Sequence, residues 1–304
     1  MFTEEEYKKL IAEIPNSEVA EILFTVLSKI HNKLEYNLEN MTEQGLIQYD
    51  MFKLFFKQYN TTLVLSNKID YIFKSQISYI DLKSIYNLIR SLHELYLTYH
   101  YLFLGKHFTN INGNEEHNFK YSVYKLSGLK DSIKSFQYIK DTPLYDTQHK
   151  NKYDEIIEEE KNLLKDIKAT KIYTELPAKI KKEINRGNWK INKSKKMSWS
   201  DMLDNTHILK EYGVLEYSIL SQYAHTSYHS IMLEKAHDYN LDGLLCHLYI
   251  LTSVFIASLS DTFKLNLSDC SLITKRELAL IYDFMNLAKN QSYNVEEISI
   301  QEII

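Results

Sequence analysis

The stretch from Ile85 to Leu104, IYNLIRSLHELYLTYHYLFL, is apolar on nearly every helical face, yet it carries Arg90, His93, Glu94 and His100. A helix of that composition is buried on all sides, and ionisable groups inside it need partners because an unpaired buried charge is costly. Arg90 and Glu94 stand one helical turn apart, so they can neutralise each other or share a polar group from a facing helix. The stretch therefore demands neighbouring helices around it and a second polar stripe on one of them.

Only 7 Gly and 3 Pro in 304 residues leave few tight turns, which argues for long helices over a sandwich or barrel. The expected fold is all-α, a long-helix bundle around a buried central helix at about residues 80–104. It is read as a single helical domain over 1–304, with N-terminal helices in 1–79 and a core over 80–265. A net charge of −4 gives no global attraction to nucleic acid or anionic membranes. The 24 Tyr and 13 Phe are taken as a compositional habit, not a binding signature.

The apolar run Leu244–Ser260 is short for a membrane span and has His247 near its start, so it is read as a buried core helix, with no membrane partner. Cys246 and Cys270 form neither a metal motif nor a disulfide framework, and the start, MFTEEEYKKL, is acidic where an export signal is basic then apolar. Both point to the reducing cytoplasm. No cofactor is expected.

Along the chain, Thr3 with Glu6 forms a capping box for a first helix, and Ser17 can cap the next, whose apolar residues recur from Val19 to Leu38. A further aromatic-rich helix is expected from about Leu46 to Ser75, and Asp81 caps the central helix. Beyond a polar loop at 106–118, helices follow at about 119–139, 146–169, 200–210, 214–235, 242–260 and 271–290. The Glu158–Glu160 run is read as a solvated face.

The segment 179–199 is the compositional outlier. Lys179, Lys181, Lys182, Arg186, Lys190, Lys193, Lys195 and Lys196 oppose only Glu183, with Trp189 and Trp199 interleaved. Cations meet phosphates and rings stack on bases, so Lys182, Arg186, Trp189, Lys190, Lys193, Lys195 and Lys196 are the candidate nucleic-acid contacts. The alternative is a solvated loop whose tryptophans anchor in the core.

The second polar stripe lies in LEYSILSQYAHTSYHSIML, where Tyr217, Ser221, His225 and His229 recur at four-residue steps. Arg90 and Glu94 are expected to face Ser221 and His225. A carboxylate beside an imidazole fixes its tautomer and raises its pKa, which suits acid–base chemistry near neutral pH, and an arginine can hold a phosphate. Equally, the four groups can satisfy each other and lock helix register. His225 and His229 form an H-x-x-x-H pair able to bind zinc if a third ligand is supplied, but Thr226 stands where a catalytic glutamate would be, so no metal is expected.

The combination of R-S-L-H-E (Arg90–Glu94), Trp199 before a short helix, and Y-S-I-L-S-Q-Y-A-H-T-S (Tyr217–Ser227) resembles an uncharacterised bacterial all-helical family, marked by an R-x-x-x-E helix and a later S-x-x-x-H helix. The resemblance covers roughly residues 80–265. It implies that Arg90, Glu94, Ser221 and His225 are the family's polar centre, and it implies no reaction. A more distant likeness is to HEPN helical bundles, many of them ribonucleases in toxin and antiviral systems, whose homodimers unite two copies of an arginine followed four to six positions later by a histidine. His93 and His100 both miss that spacing from Arg90.

Two functions are expected. One is an intracellular effector that cleaves RNA or a nucleotide-like phosphate ester, with His225 as acid or base, Glu94 orienting it and Arg90 on the phosphate. The other is a non-enzymatic helical module for a protein partner or small ligand, its polar centre purely structural.

Overall fold

The computed structural model describes residues 3–71, 74–108, 112–224, 241–267 and 272–289. They form an all-α protein, with twelve α-helices and one two-stranded sheet among the described residues. The chain divides into two compact units, one of residues 1–100 and 206–304, the other of residues 101–205.

The first unit opens with α1 (Glu4–Ala12), where the Thr3 hydroxyl accepts from the Glu6 amide at 3.1 Å as its sequence suggests. In α2 (Asn16–Glu35) Pro15, not Ser17, holds the cap position, because its fixed φ suits a helix entry and it has no amide to satisfy. Helix α3 (Glu43–Ser66) begins at the Thr42 cap and stops nine residues before the expected end at Ser75. There the chain turns into β1 (Ile69–Tyr71) and β2 (Lys74–Tyr79), an antiparallel pair registering Ile69 with Tyr79 and Asp70 with Ser78. The reason is visible in IDYIFKSQISYI, whose β-branched and aromatic residues favour a pleated backbone over a helix.

Helix α4 (Leu82–Phe103) is the central helix, started by Asp81, whose carboxylate accepts from the Ser84 amide at 3.0 Å. Ile85, Ile89, Leu92, Tyr96, Leu97 and Tyr99 are fully buried. Helix α10 (Lys210–Ala224) begins before Gly213, which lies buried inside it. Helix α11 (Leu241–Phe263) is long and apolar enough to cross a membrane by composition, and 72% of its most apolar window is buried inside the protein. It packs on α2, α3 and α12 (Lys275–Lys289). Phe255 of α11 stacks on Phe55 with ring centroids 4.2 Å apart and meets the face of Tyr99 edge-on at 5.0 Å. Lys29 and Arg276 then tie α2 and α12 together through Glu277 and Glu18, at 2.8 and 2.6 Å.

The second unit is built on α5 (Gly113–Ile139) and α6 (Thr147–Ala169), followed by α7 (Lys171–Glu175), α8 (Ala178–Asn185) and α9 (Trp199–Met202). The Asn112 side chain caps α5, so that helix starts six residues before Phe119. Leu126, Ile167, Ile180, Ile184 and Ile191 form its core. Glu158 and Glu159 of α6 face water as expected, whereas Glu160 keeps only 14% of its side-chain surface and meets Lys130 of α5 at 2.6 Å; Glu159 also reaches Lys125 at 3.0 Å.

Replacing Phe255 by alanine removes a ring touched by Phe52, Phe55 and Tyr99. We expect a loss of about 3–5 kcal/mol in a denaturant titration, as for aromatic truncation in a close-packed core.

Candidate functional site

In the first unit, α4 and α10 bring part of the expected polar centre together. Arg90 Nε donates to Glu94 Oε1 at 3.2 Å. The third member is Tyr217, which donates its hydroxyl to Glu94 Oε1 at 2.8 Å and lies 3.4 Å from an Arg90 nitrogen. Arg90 and Glu94 keep 24% and 30% of their side-chain surface, so water reaches both ends of the pair. Burial works against the guanidinium charge, but Tyr217 and Glu94 outweigh it and hold the Arg90 pKa above its ordinary value. Ser221, one turn further along α10, has its hydroxyl oxygen buried with no hydrogen-bond partner among the described residues. His225 and His229 lie outside the described residues. Among those described, no cluster of three or more His, Cys, Asp or Glu is placed to hold a metal ion.

Behind this pair lies a second network, which the sequence analysis did not assemble. His93 and His247 are fully buried, and Nδ1 of His93 faces Nε2 of His247 at 3.3 Å. Nδ1 of His247 in turn meets the Tyr212 hydroxyl at 2.8 Å and Glu216 at 3.9 Å. Burial pushes the His93 imidazole down to about 4, and burial with the neighbouring imidazole drives His247 well below its ordinary value. Both rings are therefore neutral near pH 7. Glu216 gains no charge partner from a neutral imidazole, so burial raises its carboxyl to about 7. The signal for this network was a lone histidine inside the most apolar helix of the chain, a residue that rarely lies there without a polar partner.

In the second unit, the basic segment is part helix and part hairpin. Helix α8 ends at Asn185, Arg186 caps it, and Gly187 follows with a φ of +86° that suits glycine, where an added Cβ would lie only 3.0 Å from the Lys130 side chain. The chain then forms a small hairpin through the Ile191–Lys196 bridge. Tyr101 pins that hairpin, its hydroxyl reaching the carbonyls of Ile191 at 2.8 Å and Trp189 at 3.1 Å. Beneath it, Lys120 is buried and donates to the Gly105 carbonyl at 2.5 Å, with Glu116 at 3.3 Å; burial lowers its pKa to about 8.

The hairpin, the start of α9 and one face of α5 enclose a cleft of about 650 Å³. Arg186, Trp189, Lys190 and Lys196 line it, as do Trp199 and Lys134, while Lys182, Lys193 and Lys195 do not. Four cations thus face two carboxylates, Asp131 and Asp201. Lys134 meets Asp131 at 3.1 Å, and Lys195, outside the lining, meets Asp201 at 2.6 Å. The Lys190 ammonium sits 3.8 Å from the Trp199 ring centre, and Trp189 and Trp199 meet edge to face at 6.2 Å. Trp189 is half-buried against the core, so one of the two tryptophans does anchor there. Lys134, more than forty residues before the basic run, carried no local signal.

The chain matches no family model, no curated protein and no solved structure.

The pH dependence of folding follows from the buried network. His93 and His247 are neutral when folded, so the stability they carry is complete above pH 6.5 and drains as pH falls toward 4. Glu216 runs the other way: its contribution is full below pH 4.5 and is lost as pH rises through about 7. Glu216→Gln removes the opposing group. Its unfolding free energy should therefore fall more steeply than the parent's in denaturant titrations on acidification from pH 6.5 to 4.5, by about 1.4 kcal/mol for each pH unit.

Proposed function

We propose that the chain binds single-stranded RNA through the cleft of the second unit. The observation that supports this reading is the placement of four cations and two indole rings on one concavity of about 650 Å³. Cations offset phosphate charge and release counterions, and indole faces accept unstacked bases. A duplex hides its base faces, so a cleft walled by tryptophans selects a single strand. The volume is that of a site for a small ligand or a few nucleotides.

This reading keeps the RNA contacts of the first function expected from sequence and sets aside its chemistry at Arg90 and Glu94; the second, a module for a protein partner or small ligand, has no such basic surface in its favour. Arg90 and Glu94 are engaged with each other and with Tyr217, so a phosphate at Arg90 has to displace an internal partner. In the cleft Lys134 and Arg186 are paired as well, with Asp131 and Glu183 at 3.1 Å each, but they keep 60% and 59% of their side-chain surface, where a phosphate can meet them without displacing the partner.

A labelled single-stranded oligoribonucleotide should bind the full chain at low salt and dissociate as salt rises. Removing Arg186 and Lys196 together should flatten the plot of log affinity against log salt by about 0.7 per lost phosphate contact. Trp199→Ala should weaken binding by about 1–3 kcal/mol and leave that slope unchanged. Absence of binding at low salt ends the reading, and cleavage of the oligonucleotide by the parent replaces it with the hydrolase.

A further inference from the structure

The buried histidine pair of the first unit carries an inference independent of the RNA cleft. Only one proton fits in the contact between His247 Nε2 and His93 Nδ1. If His247 holds it, His93 has a bare Nδ1 and carries its own proton on Nε2. If His93 holds it, His247 has a bare Nε2 and carries its proton on Nδ1. The two neutral rings are therefore obliged to be the same tautomer, both protonated on Nε2 or both on Nδ1.

The groups around His247 Nδ1 decide between these states. The Tyr212 hydroxyl, at 2.8 Å, can donate to a bare Nδ1 and so favours the Nε2 state. A charged Glu216, whose carboxylate lies 3.9 Å away, favours a proton on Nδ1. From α4, Arg90 and Glu94 are closed on Tyr217, whose ring meets His93 at 5.7 Å, and Tyr86 feels the charge of Glu216. At the far end, Nε2 of His93 is buried and has no hydrogen-bond partner among the described residues.

We infer that Tyr212, His247 and His93 form a directional proton relay, with Glu216 at its entrance and Nε2 of His93 at its exit. In the forward step the Glu216 carboxyl, too far from the ring at 3.9 Å for direct transfer, gives up its proton by way of the Tyr212 hydroxyl, and Nδ1 of His247 gains one. The central proton crosses from His247 Nε2 to His93 Nδ1, and the proton on His93 Nε2, which is buried in the closed structure, is released to water when the helix packing opens locally. Glu216 ends as carboxylate, both rings end neutral, and one proton has crossed α11 and α4. His93 Nε2 thereby changes from hydrogen-bond donor to acceptor when Glu216 ionises.

Long-range proton–nitrogen NMR on the full chain with labelled histidine reads the tautomers directly. Across about pH 6 to about pH 8, where burial keeps both rings neutral, His93 and His247 should move together from Nε2–H to Nδ1–H, with a midpoint at about 7. Glu216→Gln should hold both rings in the Nε2 form throughout, and Tyr212→Phe should shift the changeover to lower pH. Rings protonated on different nitrogens, a parent that keeps one tautomer over the range, or a Glu216→Gln protein that still switches would each overturn the relay. The parent spectrum alone decides the matter if the variants do not fold.

Discussion

A polar side chain on the buried face of a helix has to be satisfied by another element, and on α4 that requirement positions what surrounds it. Arg90 and Glu94 draw in Tyr217 of α10, and His93 draws in His247 of α11. Tyr212, on the same helix as Tyr217, closes the circuit onto His247. A slip of α10 by one residue would turn both tyrosines by about 100°, leaving Glu94 with Arg90 alone and Nδ1 of His247 without its hydroxyl. Apolar packing alone tolerates such slips far better than a network whose members depend on groups from another helix. The aromatic contacts of Phe255 supply burial, while these polar pairs supply register.

The same logic operates in the second unit. Tyr101 spends its hydroxyl on the backbone of the hairpin, and the hairpin carries Trp189, Lys190 and Lys196. A basic segment left as a solvated loop would hold its cations in many conformations, and a ligand would have to order them at a cost in entropy. Here the Ile191–Lys196 bridge, the buried Ile191 and the glycine turn at Gly187 order the backbone beforehand. Asp201 completes the capping box that Ser198 opens on α9 and meets Lys195, so one of the two carboxylates of the cleft is already paired with a cation from outside its lining. The surface that remains is smaller than the basic run in the sequence, and it is organised around Lys190 and the two indoles.

How much of this was legible in the sequence depended on range. Few Gly and Pro, apolar repeats at helical spacing and caps such as Thr3 and Asp81 are local signals, and they correctly indicated an all-α chain. The sheet at residues 69–79 was missed because its apolar and polar residues also fit a continued helix, and only pairing with a neighbouring strand decides between them. The Arg90–Glu94 pair was legible because its members are four apart. Its third member was not separable from Ser221 by spacing, since Tyr217 and Ser221 lie on the same stripe of α10.

The histidine pair marks the limit of local reading. His93 and His247 are 154 residues apart, and each taken alone is one polar residue on an apolar helix. Their meaning arises from their contact: one imidazole buried alone would shed its charge and accept whatever hydrogen bond it found, but two in line share a single proton and constrain each other's tautomer. Placing a carboxyl with a pKa of about 7 at one end makes that constraint responsive at neutral pH. Two neutral, fully buried rings thus acquire a direction that neither has by itself, and the direction is set by a glutamate that remains 22% exposed.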